Sequence, residues 1–184
     1  MILMRKIVSL VRMKGMKRST EFLKECMADA LLRLMKEKPF EKITIDEITK
    51  TAGVGRATYF RNFLGKNEVL TYKIVKLWHE WVEAHGIKKG KQFSLDNNVT
   101  FFEYNYSIKE ELKLIYNAKM QSAIYDAFTK VIVREYEEDS RAFYKSNFYA
   151  YGLFGILEKW IERDFYESPE EMGIIARSVF EFDR

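Results

Sequence analysis

The 184-residue chain has one cysteine, two prolines and two histidines. A single cysteine, Cys26, excludes an internal disulfide and suits a reducing compartment, so a cytoplasmic protein is expected. Its spacing from Leu23 and Ala30 reads as a small core position on an early helix. Pro39 and Pro169 leave long stretches of chain uninterrupted. Lys, Glu, Leu and Met are abundant, and no alternating strand-like runs are bounded by turns, so the pattern predicts an all-α protein. No apolar run approaches the roughly eighteen residues of a membrane span, and no membrane partner is expected. His79 and His85 stand six apart without a cysteine or carboxylate cluster at metal-ligand spacing. Neither a glycine-rich phosphate loop nor a Gly-x-Ser-x-Gly elbow is present. Catalysis, a metal and a cofactor are therefore not expected. The acidic run Glu135, Glu137, Glu138 and Asp139 reads as a solvated helix end.

Charge is distributed unevenly. Residues 1–66 carry 15 Lys/Arg against 7 Asp/Glu, and residues 67–184 carry 16 against 20. A basic front and a mildly acidic back are what attraction of one end to nucleic acid would select. Aromatics lean the other way: five of the 28 lie in residues 1–66. That asymmetry predicts a second module with a wide apolar interior. Residues 1–18 form a basic extension. Arg5, Lys6, Arg12 and Lys14 have no acidic partners there, so it reads as an arm able to reach DNA or as sequence upstream of a start at Met13 or Met16.

The strongest motif lies in residues 43–66. Thr44 and Glu47 stand as a capping box, with Ile43 and Ile48 as the hydrophobic staple around it. Ala52-Gly53-Val54 is a tight turn, since glycine takes positive φ without a Cβ clash. Gly55 can then cap a second short helix. Ile45, Ile48, Ala52, Val54, Tyr59 and Phe63 are predicted to fix the angle between the two helices. Arg56, Ala57, Thr58, Arg61 and Asn62 remain on the outside, small or hydrogen-bonding, as a helix entering the DNA major groove requires.

This stretch resembles the helix-turn-helix of the TetR family of bacterial transcription regulators. It is followed by that family's Phe-x-Gly/Ser-Lys-x-Glu continuation, here Phe63 to Glu68, and the resemblance runs over about 19–70. It implies that Thr44 meets a phosphate through its hydroxyl and backbone N–H. It also implies that Arg56, Ala57 and Thr58 enter the groove and that Lys66 binds a phosphate. Gly55, Arg61 and Asn62 complete the expected DNA-facing set. Arg56 can fork onto a guanine O6/N7 pair or hold a phosphate, and Ala57 can touch a thymine methyl. Phe60 stands where the family has a tyrosine whose hydroxyl commonly donates to phosphate. Asn62 replaces a His or Tyr and gains the ability to pair with adenine. Tyr59 takes a normally apolar, buried position.

Around the motif, a first helix is predicted over 19–36, with Leu23, Met27, Ala30, Leu31 and Leu34 on one face, and Phe40 plugs the headpiece core. A fourth helix runs over 65–85. After a break at 86–91, helices are expected at 94–107, 108–117, 119–137, 141–164 and 169–182. Ser168-Pro169-Glu170-Glu171 marks the last start with a serine cap, proline in the first turn and a capping-box glutamate. Glycines inside a helix cost about 1 kcal/mol each relative to alanine, so Gly152 and Gly155 predict close helix approach. Phe148 to Trp160 and Ser168 to Glu171 resemble the C-terminal domains of a Gram-positive branch of the TetR family. That resemblance implies a homodimer with a four-helix interface, in which Gly152, Gly155, Trp160, Ile174 and Ile175 are the candidate contacts.

The resulting expectation is an N-terminal three-helix DNA-binding domain (19–66) and a C-terminal helical effector-binding and dimerisation domain (67–184). The partners would be double-stranded operator DNA, a second copy and a small apolar or aromatic effector that relieves repression. Tyr104, Tyr106, Tyr116, Tyr125, Phe128 and Tyr151 are the candidate lining residues. Two alternatives stay open: an activator or co-regulator whose C-terminal domain binds a protein, and a helical scaffold without DNA binding.

Overall fold

The computed structural model describes residues 19–87, 98–132 and 140–180. The basic extension and the acidic run at 135–139 lie outside the described residues. Nine α-helices are found among those described: α1 (Thr20–Met35), α2 (Ile45–Ala52), α3 (Arg56–Asn62), α4 (Lys66–Ala84), α5 (Asn98–Ser107), α6 (Lys109–Asn117), α7 (Gln121–Ile132), α8 (Ser140–Glu162) and α9 (Pro169–Phe180). A short 3-10 turn, Phe40–Lys42, joins α1 to α2. The all-α expectation holds, and no described helix is long and apolar enough to cross a membrane. The residues expected at 94–97 and 133–137 lie outside the described set.

Local chemistry explains the ends. Ser19 caps α1 by accepting from the Phe22 N–H. The expected capping box opens α9: Ser168 N–H donates to Glu171 Oε2 at 2.8 Å, and Glu171 N–H donates back to Ser168 Oγ. Helix α8 stops at Glu162 rather than continuing to 164. Asp164 and Phe165 take φ of 57° and 55°, and the Phe165 N–H returns to the Trp160 carbonyl at 2.9 Å. Burial of the Phe165 ring in the core offsets that left-handed backbone.

Helix α1 lies across the α2–α3 pair and along α4. Met27, Ala30, Leu31, Phe40, Ile43, Ile48, Tyr59 and Phe63 are all buried, while Ile45, Ala52 and Val54 pack at the edge of the same cluster. On the outside of the α1–α4 seam, Lys73 pairs with Asp29 and Tyr72 donates to Glu21. Polar contacts at the rim of a helix pair contribute little beside apolar burial, so the apolar seam carries the docking. Helix α4 continues into the rest of the chain through Val69, Leu70, Ile74 and Trp78.

In the body, Trp160 is 1 % exposed and packs edge-on to Phe102 and Phe165 at 5.7 and 4.8 Å. Its Nε1 donates to the Glu167 carbonyl. The expectation of Trp160 in a dimer interface is therefore corrected. The left-handed turn at 164–165 folds the chain back over the indole and seals it inside its own subunit. Gly152 does mark a close approach, but the neighbour is internal. A Cβ there would stand 2.8 Å from the Phe180 ring of α9, while Gly152 itself stays half-buried. Gly155 has nothing within 4 Å of a Cβ position. Gly173, by contrast, admits Val99 of α5, whose Cγ2 would lie 2.7 Å from an added Cβ.

Candidate nucleic-acid interface

The interface is built on the α2–α3 pair. Thr44 caps α2: its Oγ1 accepts from Glu47 N–H, and the Glu47 carboxylate accepts from the Thr44 N–H at 2.9 Å. Lys38 also pairs with Glu47. That lysine bond, followed by the two Thr44 bonds, holds the Glu47 carboxyl down at about 2. The Thr44 N–H, an expected phosphate donor, is thus already engaged within the capping box. Gly53 turns the chain at φ 65°, ψ 36°, and Gly55 caps α3 in an extended conformation without a side-chain bond.

Tyr59 fixes α3 from beneath. It is fully buried against Phe60 and Phe63, and burial, helped by the Glu68 charge, pushes its phenol up to about 12. Its hydroxyl finds no hydrogen-bond partner among the described residues. Gly55, Arg56, Ala57, Phe60 and Arg61 are left exposed on the opposite face, with Thr58 and Asn62 half-buried. Asn62 donates one of its two amide N–H groups to the Thr58 carbonyl at 2.7 Å.

Two features were not visible in the sequence. Arg56 does not extend freely: its Nη1 lies 2.8 and 3.0 Å from the two carboxylate oxygens of Asp46, and its Cζ sits 5.7 Å from the Phe60 ring. Asp46 was missed because only the angle between α2 and α3 brings it to Arg56, ten residues on. Lys66 turns inward at the start of α4. It donates to the carbonyls of Phe40 (2.7 Å) and Ile43 (2.8 Å) and lies 4.3 Å from the Phe40 ring centroid. Burial lowers its pKa, with the Glu41 charge opposing. Two of its three N–H groups are therefore occupied by backbone.

The six aromatics expected to line one cavity are spread along a connected set of rings, in which Phe101 joins Phe128 to Trp78 and Phe102 joins Phe101 to Trp160. Tyr104 is buried between Trp78 and Trp81 and donates to the Ile74 carbonyl. Tyr106 packs on Trp160 and Phe165, and Tyr116 donates to Glu162 on the same side. Tyr125, Phe128 and Tyr151 gather around Phe154: Tyr125 lies 4.5 Å from Tyr151, and both Tyr125 and Phe128 meet Phe154 edge-on. Burial and a bond with Tyr151 push the Tyr125 phenol up to about 12. The sequence could not show these pairings, because helix period does not say which neighbour each face meets.

An apolar face stays open on the last two helices. Tyr144, Phe148 and Tyr151 of α8 are exposed, as are Ile174, Ile175 and Val179 of α9, with Ile174 at 70 %.

Residues 28–72 match the family model described as bacterial regulatory proteins, tetR family. Residues 94–181 match a second model, described as transcriptional regulator C-terminal region. No curated protein matches the chain.

Proposed function

Because this chain belongs to the TetR family of bacterial regulators, we propose that it is a homodimeric repressor released from operator DNA by a small apolar or aromatic ligand. Residues 19–66 form the DNA-binding headpiece, 67–184 the effector and dimerisation body, and the protein works in the cytoplasm. The observation that carries the reading is the exposed front of α3, where Gly55, Arg56, Ala57 and Arg61 project from a helix anchored by buried Tyr59. Small and fork-shaped groups at a rigid helix start suit close approach to base edges. With Thr58 and Asn62 they form the groove-facing set, and Thr44 borders the phosphate backbone.

Selecting genomic fragments with the purified protein tests this directly. The expected result is a palindromic motif whose half-sites lie one helical turn apart, about 34–36 Å, or a multiple of it. Recovery of fragments without a shared motif would overturn the reading.

The second copy is proposed to cover the exposed stripe of Tyr144, Phe148 and Tyr151 on α8, continued by Gly155, together with Ile174 and Ile175 on α9. Open space at Gly155 supports this placement, because a partner helix can approach there. Gly155→Leu is expected to raise the monomer fraction in sedimentation at micromolar protein. Gly152→Leu should instead displace Phe180 and loosen α9 within the subunit. An undisturbed dimer for Gly155→Leu would remove this interface. The effector is proposed to enter beside Tyr125, Phe128 and Tyr151, acting by favouring a dimer whose α3 helices no longer match successive grooves.

A further inference from the structure

We propose that Asp46 is a positioning residue for operator recognition, holding Arg56 so that it reads a guanine in each half-site. The inference rests on the DNA-binding reading above and decides a choice that the sequence left open, guanine or phosphate. Both side chains are exposed, at 61 % for Arg56 and 63 % for Asp46. A pair so exposed adds little to folding, which leaves the shape and charge it creates as its consequence.

The carboxylate engages Arg56 through Nη1 alone. The other edge of the guanidinium, Nε and Nη2, is not used by Asp46. That edge has the spacing of the O6/N7 acceptor pair of guanine. Phe60 flanks the guanidinium on another side, so the fork is restrained by a charge and by a ring. Arginine's planar donors lose less freedom on binding when their plane is fixed beforehand.

Charge excludes the other target. A phosphate held by Arg56 in this pose would bring its negative oxygens close to the Asp46 carboxylate, and at an exposed surface that repulsion is appreciable at low salt. Guanine presents neutral acceptors and meets no such penalty. Asp46 thus favours base over backbone, at some loss of general affinity for DNA.

Bind-and-select on randomised duplexes, run with wild type, Asp46→Ala and Asp46→Asn, tests the proposal. Salt titrations on a non-specific duplex accompany it. Wild type is expected to enrich one guanine per half-site. Asp46→Ala should lose about tenfold of that preference while binding non-specific duplex several-fold tighter at low salt. Its log K against log salt slope should steepen by about 0.9, the value for one added phosphate contact. Asp46→Asn keeps an acceptor for Nη1 without the charge, so it should retain part of the guanine preference. It carries the same readout should the alanine variant melt early. A variant that selects the same guanine as strongly as wild type, with an unchanged slope, overturns the role of Asp46. Failure of wild type to select any sequence overturns the underlying DNA-binding reading instead.

Discussion

Trp160→Ala is expected to cost about 3–5 kcal/mol of folding free energy, the range for removing a buried tryptophan. Three observations set the size. The indole is sealed from solvent, meets Phe102 and Phe165 edge-on, and donates to the Glu167 carbonyl. Alanine would leave a cavity among α5, α8 and the turn before α9, and would strip the Glu167 carbonyl of its donor. Equilibrium urea unfolding measures the loss. Its dependence on protein concentration tells the two placements apart. A residue between subunits would lower the midpoint only where the wild type is dimeric, so its effect would shrink on dilution, by mass action. A residue inside one subunit shifts it by about the same amount at every concentration. Trp160→Phe should recover most of the packing but not the bond to Glu167.

Lys66→Met is the second large effect. The ammonium holds two carbonyls on either side of the turn into α2, and bonds from a charged donor contribute about 1.5–3 kcal/mol each when well formed. Partial exposure of Lys66 reduces that, so a total near 2 kcal/mol is expected for the headpiece. Methionine retains the apolar stem over Phe40 but removes the ammonium from both carbonyls, leaving that of Phe40 with only the Ile43 N–H. Duplex affinity should fall because Thr44 and the start of α2 lose their support. The salt slope should stay at the wild-type value at temperatures where the variant is folded. A lysine working directly on a phosphate would instead flatten the slope by about 0.9. A flattened slope with an unchanged melting temperature would return Lys66 to the DNA surface.

These two cases mark where the sequence could be read and where it could not. Elements governed by neighbours three or four residues apart were legible. The Thr44–Glu47 box and the Ser168–Glu171 box depend on local capping chemistry and form as expected, and of the α1 stripe Met27, Ala30 and Leu31 are buried while Leu23 and Leu34 stay half-buried. Gly152 was rightly read as a point of close approach, since a glycine inside a helix asks for one. What it approaches is Phe180 of the same chain, and only the tertiary fold decides that. Trp160, Lys66 and Arg56 share the same difficulty. The resemblance places Lys66 and Trp160 outward, and the motif does so for Arg56, yet each finds a partner within the chain that sequence distance conceals: a turn reversed by two left-handed residues, a pair of carbonyls 23 and 26 positions earlier, and a carboxylate across the helix elbow. Long side chains satisfy whatever polar group the fold brings near, so type alone does not say whether they face a ligand.

The turn between α2 and α3 restricts its occupant by handedness and not by bulk. Gly53 sits at φ 65° with open space where a Cβ would be, so an L-alanine there is opposed only by its own backbone, while D-alanine has this region as its natural conformation. A synthetic headpiece carrying the mirror-image residue would keep the elbow angle and restrict the unfolded chain. The angle on which groove entry depends thereby rests on the left-handed backbone of a single residue that has no stereocentre of its own.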